Sequence, residues 1–168
     1  MQQAKRLSLV LALFLSFITF QTAESKLNHH SRQEASPFQL RDLNGKDVSL
    51  SDFTGKVVVL NFWATWSAPS LREMPELEKL KQSFTKGNVQ VLGIAVISRS
   101  EEIPKQVKAT GVTYPVLLGN KQIIADYGYF TSIPMTFIID RQGTIVKALE
   151  GAVDYAVLER EIHAALGE

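Results

Sequence analysis

Asn61-Phe-Trp-Ala-Thr-Trp-Ser-Ala-Pro-Ser70 decides how this chain is read. An apolar stretch, Val57–Phe62, runs into Trp63 as a buried strand would. Two small side chains then follow, Ser67 and Ser70, separated by two residues, and a helical pattern opens directly behind them. Leu71, Met74, Leu77, Leu80 and Phe84 recur at helical spacing, and Gly87 stops the helix. Strand, tight corner and helix start therefore fall within a few residues of one another.

A strand can also be read at Val89–Ile97, a short helix at Ile103–Ala109, an extended piece at Thr113–Leu117 and a helix at Gln122–Tyr127. Met135–Asp140 and Thr144–Glu150 form a hairpin through Arg141-Gln142-Gly143, and Asp154 caps a last helix. Upstream, Phe38–Asp42 and Lys46–Leu50 flank Asn44-Gly45, a strong hairpin signal. Strand–helix–strand alternation implies a parallel pair, and the final hairpin adds antiparallel strands. The expected architecture is α/β: a mixed central sheet flanked by helices, with an N-terminal β-hairpin and a short αβ insert.

The 168 residues suffice for one core, and 45% apolar with 21% charged residues is a globular composition. A net charge of +1 without a basic cluster gives no reason to expect nucleic acid. Lys5 and Arg6 precede the apolar run Leu7–Phe20, so residues 1–23 read as a signal peptide or an uncleaved N-terminal anchor. The polar residues 24–36 read as a linker, and 37–168 as the folded domain. His29 and His30 lie in that linker without acidic partners and are expected to be solvated; no metal site is expected. The chain has no cysteine, which removes disulfides, thiolate metal sites and thiol nucleophiles.

Cysteines in place of Ser67 and Ser70 would close a disulfide at a helix start, where backbone N–H groups lower a thiol's pKa. Asn61-Phe-Trp-Ala-Thr-Trp-Ser-Ala-Pro-Ser-Leu-Arg-Glu-Met-Pro75 resembles the TlpA/ResA-like exported thiol–disulfide oxidoreductases, whose pattern is F-W-A-x-W-C-x-P-C-x-x-E-x-P. The resemblance continues through Phe38–Lys56 and through Ser132-Ile-Pro-Met-Thr-Phe-Ile-Ile-Asp140 with Gly143. It implies a thioredoxin fold over Pro37 to about Leu166 and an exported, extracytoplasmic protein, with anchoring by residues 7–20 where the leader is retained. It also implies disulfide reduction or cytochrome c maturation in relatives that carry both cysteines. The partners implied are client proteins or peptides held in extended form, such as apocytochrome c, or a membrane electron donor. No cofactor is implied.

By that resemblance Ser67 and Ser70 stand where the family has its redox cysteines, and a hydroxyl that stays protonated at neutral pH does not cycle to a disulfide. Glu73 matches an acidic residue that looks like a proton-handling group. Trp66, Pro69, Ile133 and Pro134 match the client-binding surface, with Pro134 the family's cis-proline. Simpler structural roles stand beside these. Ser67 is a good helix N-cap, Ser70 and Glu73 spell a capping box that would need Ser70 at the cap, and Glu73 suits a helix-dipole or capping contact. Pro75 should kink its helix, and Trp63 and Trp66 read as core and rim aromatics.

The expected function is a thioredoxin-like protein without redox turnover. The alternative is a non-catalytic chaperone or assembly factor that holds clients in the groove around Pro134. A peroxiredoxin fits less well, because the pattern P-x-x-x-T-x-x-C meets Asn61 and a Thr65 only two residues before Ser67. A serine hydrolase lacks its Gly-x-Ser-x-Gly elbow, and His163 reads as a surface helix residue.

Overall fold

The computed structural model describes residues 33–168. In chain order the elements are β1 (Gln33–Glu34), β2 (Gln39–Arg41), β3 (Asp47–Ser49), a 3-10 turn at Leu50–Phe53, β4 (Val57–Trp63), α1 (Ala68–Ser83) and β5 (Val89–Ala95). Then come α2 (Ile103–Thr110), β6 (Val116–Leu118), α3 (Lys121–Asp126), β7 (Met135–Ile139), β8 (Thr144–Glu150) and α4 (Tyr155–Leu166).

A six-stranded sheet runs β1-β8-β7-β4-β5-β6. β4, β5 and β6 are parallel, while β7, β8 and β1 add antiparallel pairs on the other side of β4. Every residue of β4 is buried, as expected for a central strand covered on both faces. Its alternation then sorts side chains between two cores. Val57, Val59 and Trp63 pack with Met74, Leu77 and Leu80 of α1 and with Leu158 and Ile162 of α4. Val58, Leu60 and Phe62 pack on the opposite face with Ile123 of α3 and with Leu40 and Val48 of the β2–β3 hairpin. This is the thioredoxin fold.

Close approach fixes one glycine. A Cβ on Gly119 would lie 2.7 Å from both Ile94 Cγ2 and Val96 Cγ1, while its N–H donates to Ala95 O at 2.9 Å. Gly45, at φ +80°, turns the β2–β3 hairpin.

Several boundaries differ from the sequence reading. The expected linker, 24–36, ends before residue 33: Gln33–Glu34 pair with Ile145 and Thr144, and the Ala35 N–H donates to Gly143 O at 2.9 Å. That pairing is long-range, so no local pattern announces it. The proposed leader and the rest of the linker, with His29 and His30, lie outside the described residues. The N-terminal hairpin forms its own two-stranded sheet that packs on the main one through Leu40 and Val48, and among the described residues one isolated backbone bridge, Asp42 to Leu117, links the two. The insert's strand starts at Val116, beyond Pro115. Asp154 is the N-cap residue of α4 in extended backbone, but its side chain makes no cap hydrogen bond. Pro75 lies on the exposed side of an uninterrupted α1. Among the described residues no helix is long and apolar enough to cross a membrane.

Candidate functional site: the corner between β4, α1 and the turn before β7

The carboxyl end of β4 delivers the chain into the corner. Ala64 O accepts the Ser67 N–H at 3.1 Å, and Ser67 takes extended backbone (φ −87°, ψ 101°) as the N-cap of α1. Its Oγ accepts the Ser70 N–H at 3.3 Å, satisfying one of the free amides that open a helix. Pro69 occupies the first turn, where a missing N–H costs nothing. Ser67, not Ser70, is therefore the cap.

The same hydroxyl reaches across the corner. Ser67 Oγ donates to Ile133 O at 3.1 Å, joining the helix start to the turn that precedes β7. The Ile133–Pro134 peptide bond is cis, and Pro134 O accepts the Gly151 N–H at 2.9 Å. The Ile133 N–H donates to no group among the described residues. Half-buried Ile133 thus presents an open backbone donor beside Ser67.

Trp66 is 64% exposed, whereas Trp63 is fully buried. The Trp66 indole is nonetheless oriented, since its Nε1 donates to Ile97 O at 2.9 Å. Ile97 holds φ +50° and is itself 67% exposed. A β-branched residue in the left-handed region is a true outlier, of the sort that clusters at binding sites. Trp66 and Ile97 form an apolar rim two strand-ends wide.

Ser70 and Glu73 lie on the buried side of α1. Ser70 is fully buried, and its Oγ has no hydrogen-bond partner among the described residues. Glu73 is only 2% exposed. Its Oε2 accepts from Asn61 Nδ2 at 2.8 Å and its Oε1 accepts the Val153 N–H at 3.0 Å. Asn61 Nδ2 also donates to Thr136 Oγ1 at 2.8 Å. Burial raises the Glu73 carboxyl from 4.5 to about 7, with the Val153 and Asn61 hydrogen bonds opposing the shift. The helix-dipole or capping contact expected for Glu73 is absent. The carboxylate faces the sheet one turn in, tying α1 to β4 and to the loop before α4.

The structure thus brings Ser67, Ser70, Glu73, Trp66, Pro69, Ile133 and Pro134 into one corner. Sequence reasoning missed Asn61, Thr136, the Val153 amide and the Trp66–Ile97 lock. Asn61 did leave a signal: it is the one polar residue in Val57–Trp63, on the side that α1 covers. His163 is half-buried away from this corner, against Phe84 and paired with Glu168 Oε2 at 2.9 Å. Among the described residues no group of three acidic or histidine side chains is arranged to hold a metal.

Comparison with known proteins agrees with this geometry. A family model described as the AhpC/TSA family matches residues 32–148. The thioredoxin-like protein YneN of Bacillus subtilis is 38% identical over 134 residues, 77% of each chain. The thiol–disulfide oxidoreductase ResA of Geobacillus kaustophilus is 32% identical over 130 residues, 77% of this chain and 75% of that one. Among solved structures, a thiol:disulfide interchange protein of the thioredoxin family from Chlorobium tepidum superposes with a TM-score of 0.75 at 28% identity, covering 81% of this chain and 97% of its own. Together with the corner built at Ser67 and Ile133, these likenesses place the chain in the AhpC/TSA family, among thioredoxin-fold relatives of the thiol–disulfide oxidoreductases.

Proposed function

We propose that this protein is an exported member of the thiol–disulfide oxidoreductase group that performs no disulfide exchange with serine at positions 67 and 70. In this reading it keeps the corner as a non-covalent site for an extended client polypeptide. The observation that carries the loss of chemistry is the contrast between the two hydroxyls. Ser67 is satisfied twice, by the Ser70 N–H and Ile133 O. Ser70 is fully buried with an unpartnered oxygen, and burying a hydroxyl without a partner costs about 1–3 kcal/mol. A thiol behaves as a small apolar group and would sit there at far lower cost. The second position thus favours sulfur over oxygen.

Client binding draws support from the open Ile133 N–H beside an oriented, exposed Trp66. An extended segment adding to that turn would gain a backbone hydrogen bond and an aromatic contact without needing sulfur. Glu73 keeps its place beneath Ser70, but with no thiol to deprotonate its task there is structural. Apocytochrome c and other exported proteins with unpaired cysteines are the clients this reading favours.

The experiment restores both cysteines, Ser67→Cys with Ser70→Cys, and measures insulin reduction with dithiothreitol as electron source. The parent should match the uncatalysed rate, and the double variant should exceed it clearly. Catalysis by the parent would refute the proposed loss of chemistry. An inert, well-folded double variant would refute the descent of the corner from a redox site.

A further inference from the structure

At the opposite end of the sheet from Ser67 lies a cavity of about 240 Å³ that the proposed function leaves unused. It opens between the start of β4, the end of β7 and the segment joining β3 to β4. Val58 lines it, while Ala64 marks the corner; six residues of extended chain separate them, roughly 20 Å. Phe53, Val58 and Ile139 give the cavity apolar walls, and Lys56 and Arg141 line it as well. Among the described residues neither cation enters an ion pair. Asp140, the carboxylate in the lining, is engaged by its own turn: its Oδ1 accepts the Gln142 and Thr144 N–H groups, both at 2.9 Å.

Much of the surrounding backbone is already paired. Ala35 N–H pairs with Gly143 O, Thr54 N–H with Ser51 O, Lys56 N–H with Phe53 O and Gly143 N–H with Asp140 O. An added peptide strand would find few partners here, and its own buried amides would go unsatisfied. A ligand that offers one apolar chain and one negative group matches the apolar walls and the net positive charge that Lys56 and Arg141 leave over Asp140. The volume lies below the roughly 300–1,000 Å³ of sites for drug-sized molecules, which suits a short unbranched chain over a ring system.

The geometry points to a binding site for a single-chain anionic amphiphile of the medium-chain fatty-acid class. Its chain lies on Phe53, Val58 and Ile139, and its head group meets Lys56 and Arg141. This site is independent of the client corner and of the reading placed on it.

The test titrates the full chain, labelled with nitrogen-15, with decanoate below its micelle-forming concentration, and follows amide shifts. Decanol, decyltrimethylammonium and acetate are run alongside. Decanoate should shift Gly55, Gln142 and Gly143 saturably while leaving Ile133 and the Trp66 indole in place. Decanol should bind at least tenfold more weakly, and acetate and the cationic amphiphile should give no saturable shift at those amides. Lys56→Gln with Arg141→Gln should weaken decanoate roughly tenfold, the effect of two partly exposed charge contacts, without disturbing distant amides. Equal binding of anionic, neutral and cationic chains would overturn the proposal. So would decanoate shifts centred on the Trp66–Ile133 corner, or unchanged affinity in the double variant.

Discussion

Replacing Glu73 with glutamine isolates what a buried carboxyl does beneath a corner without thiols. Burial raises its pKa from 4.5 to about 7, so the folded state holds the proton more tightly than the unfolded chain. Between those values folding takes up a proton, and stability falls as pH rises. The penalty is absent below the lower value and complete above the upper one. At about 1.36 kcal/mol per pH unit the difference amounts to roughly 3 kcal/mol, a large share of the 5–15 kcal/mol typical of a domain. The neutral amide in Glu73→Gln has the shape of the protonated acid. It keeps one oxygen for Asn61 Nδ2 or the Val153 N–H and loses the other acceptor, as the protonated acid largely does. Parent and variant should therefore coincide within about 1 kcal/mol near pH 4. Near pH 8.5 the variant should be more stable by about 2–3 kcal/mol. Urea unfolding followed by far-ultraviolet circular dichroism at a series of pH values reads this directly. A gap independent of pH, or a variant less stable than the parent near pH 8.5, would show that the buried Glu73 carboxyl does not take up a proton on folding.

Other outcomes follow from the same geometry. Gly119→Ala places a methyl group 2.7 Å from Ile94 and Val96 side-chain carbons, so it should cost about 1–3 kcal/mol, seen as a lowered urea midpoint. Ser67→Ala removes both the cap of α1 and the contact to Ile133 O and should cost about 1–2 kcal/mol in the same assay. Ser70→Ala removes a buried hydroxyl that has no partner and should leave stability unchanged or raise it by about 1 kcal/mol, the opposite sign from its neighbour.

The central elements were legible because their signals are local. Val57–Trp63 is apolar throughout, and Leu71, Met74, Leu77 and Leu80 repeat with the period of a helix face, so β4 and α1 follow from chain order. Ser67 was readable as a cap from a serine two residues ahead of a first-turn proline. What escaped the sequence was set by partners distant along the chain. β1 exists because Gln33 and Glu34 meet β8, and nothing in a polar stretch marks such a pairing. Glu73 looked like a capping residue because only its own helix was visible. Its partners Asn61 and Val153 come from a strand and a loop that the fold brings beneath α1. The Trp66–Ile97 lock depends likewise on β4 and β5 ending side by side, with Trp63 paired to Ala95.

The proposed grip of the corner on an extended polypeptide needs no sulfur. Its most direct measurement is a titration of the unaltered protein with an unfolded, cysteine-blocked client peptide, watching the Ile133 amide and the Trp66 indole N–H by nuclear magnetic resonance. Saturable shifts at both, lost in Trp66→Ala while that variant keeps the parent's urea midpoint, are the predicted result. A peptide that leaves both signals in place at millimolar concentration would contradict the claim.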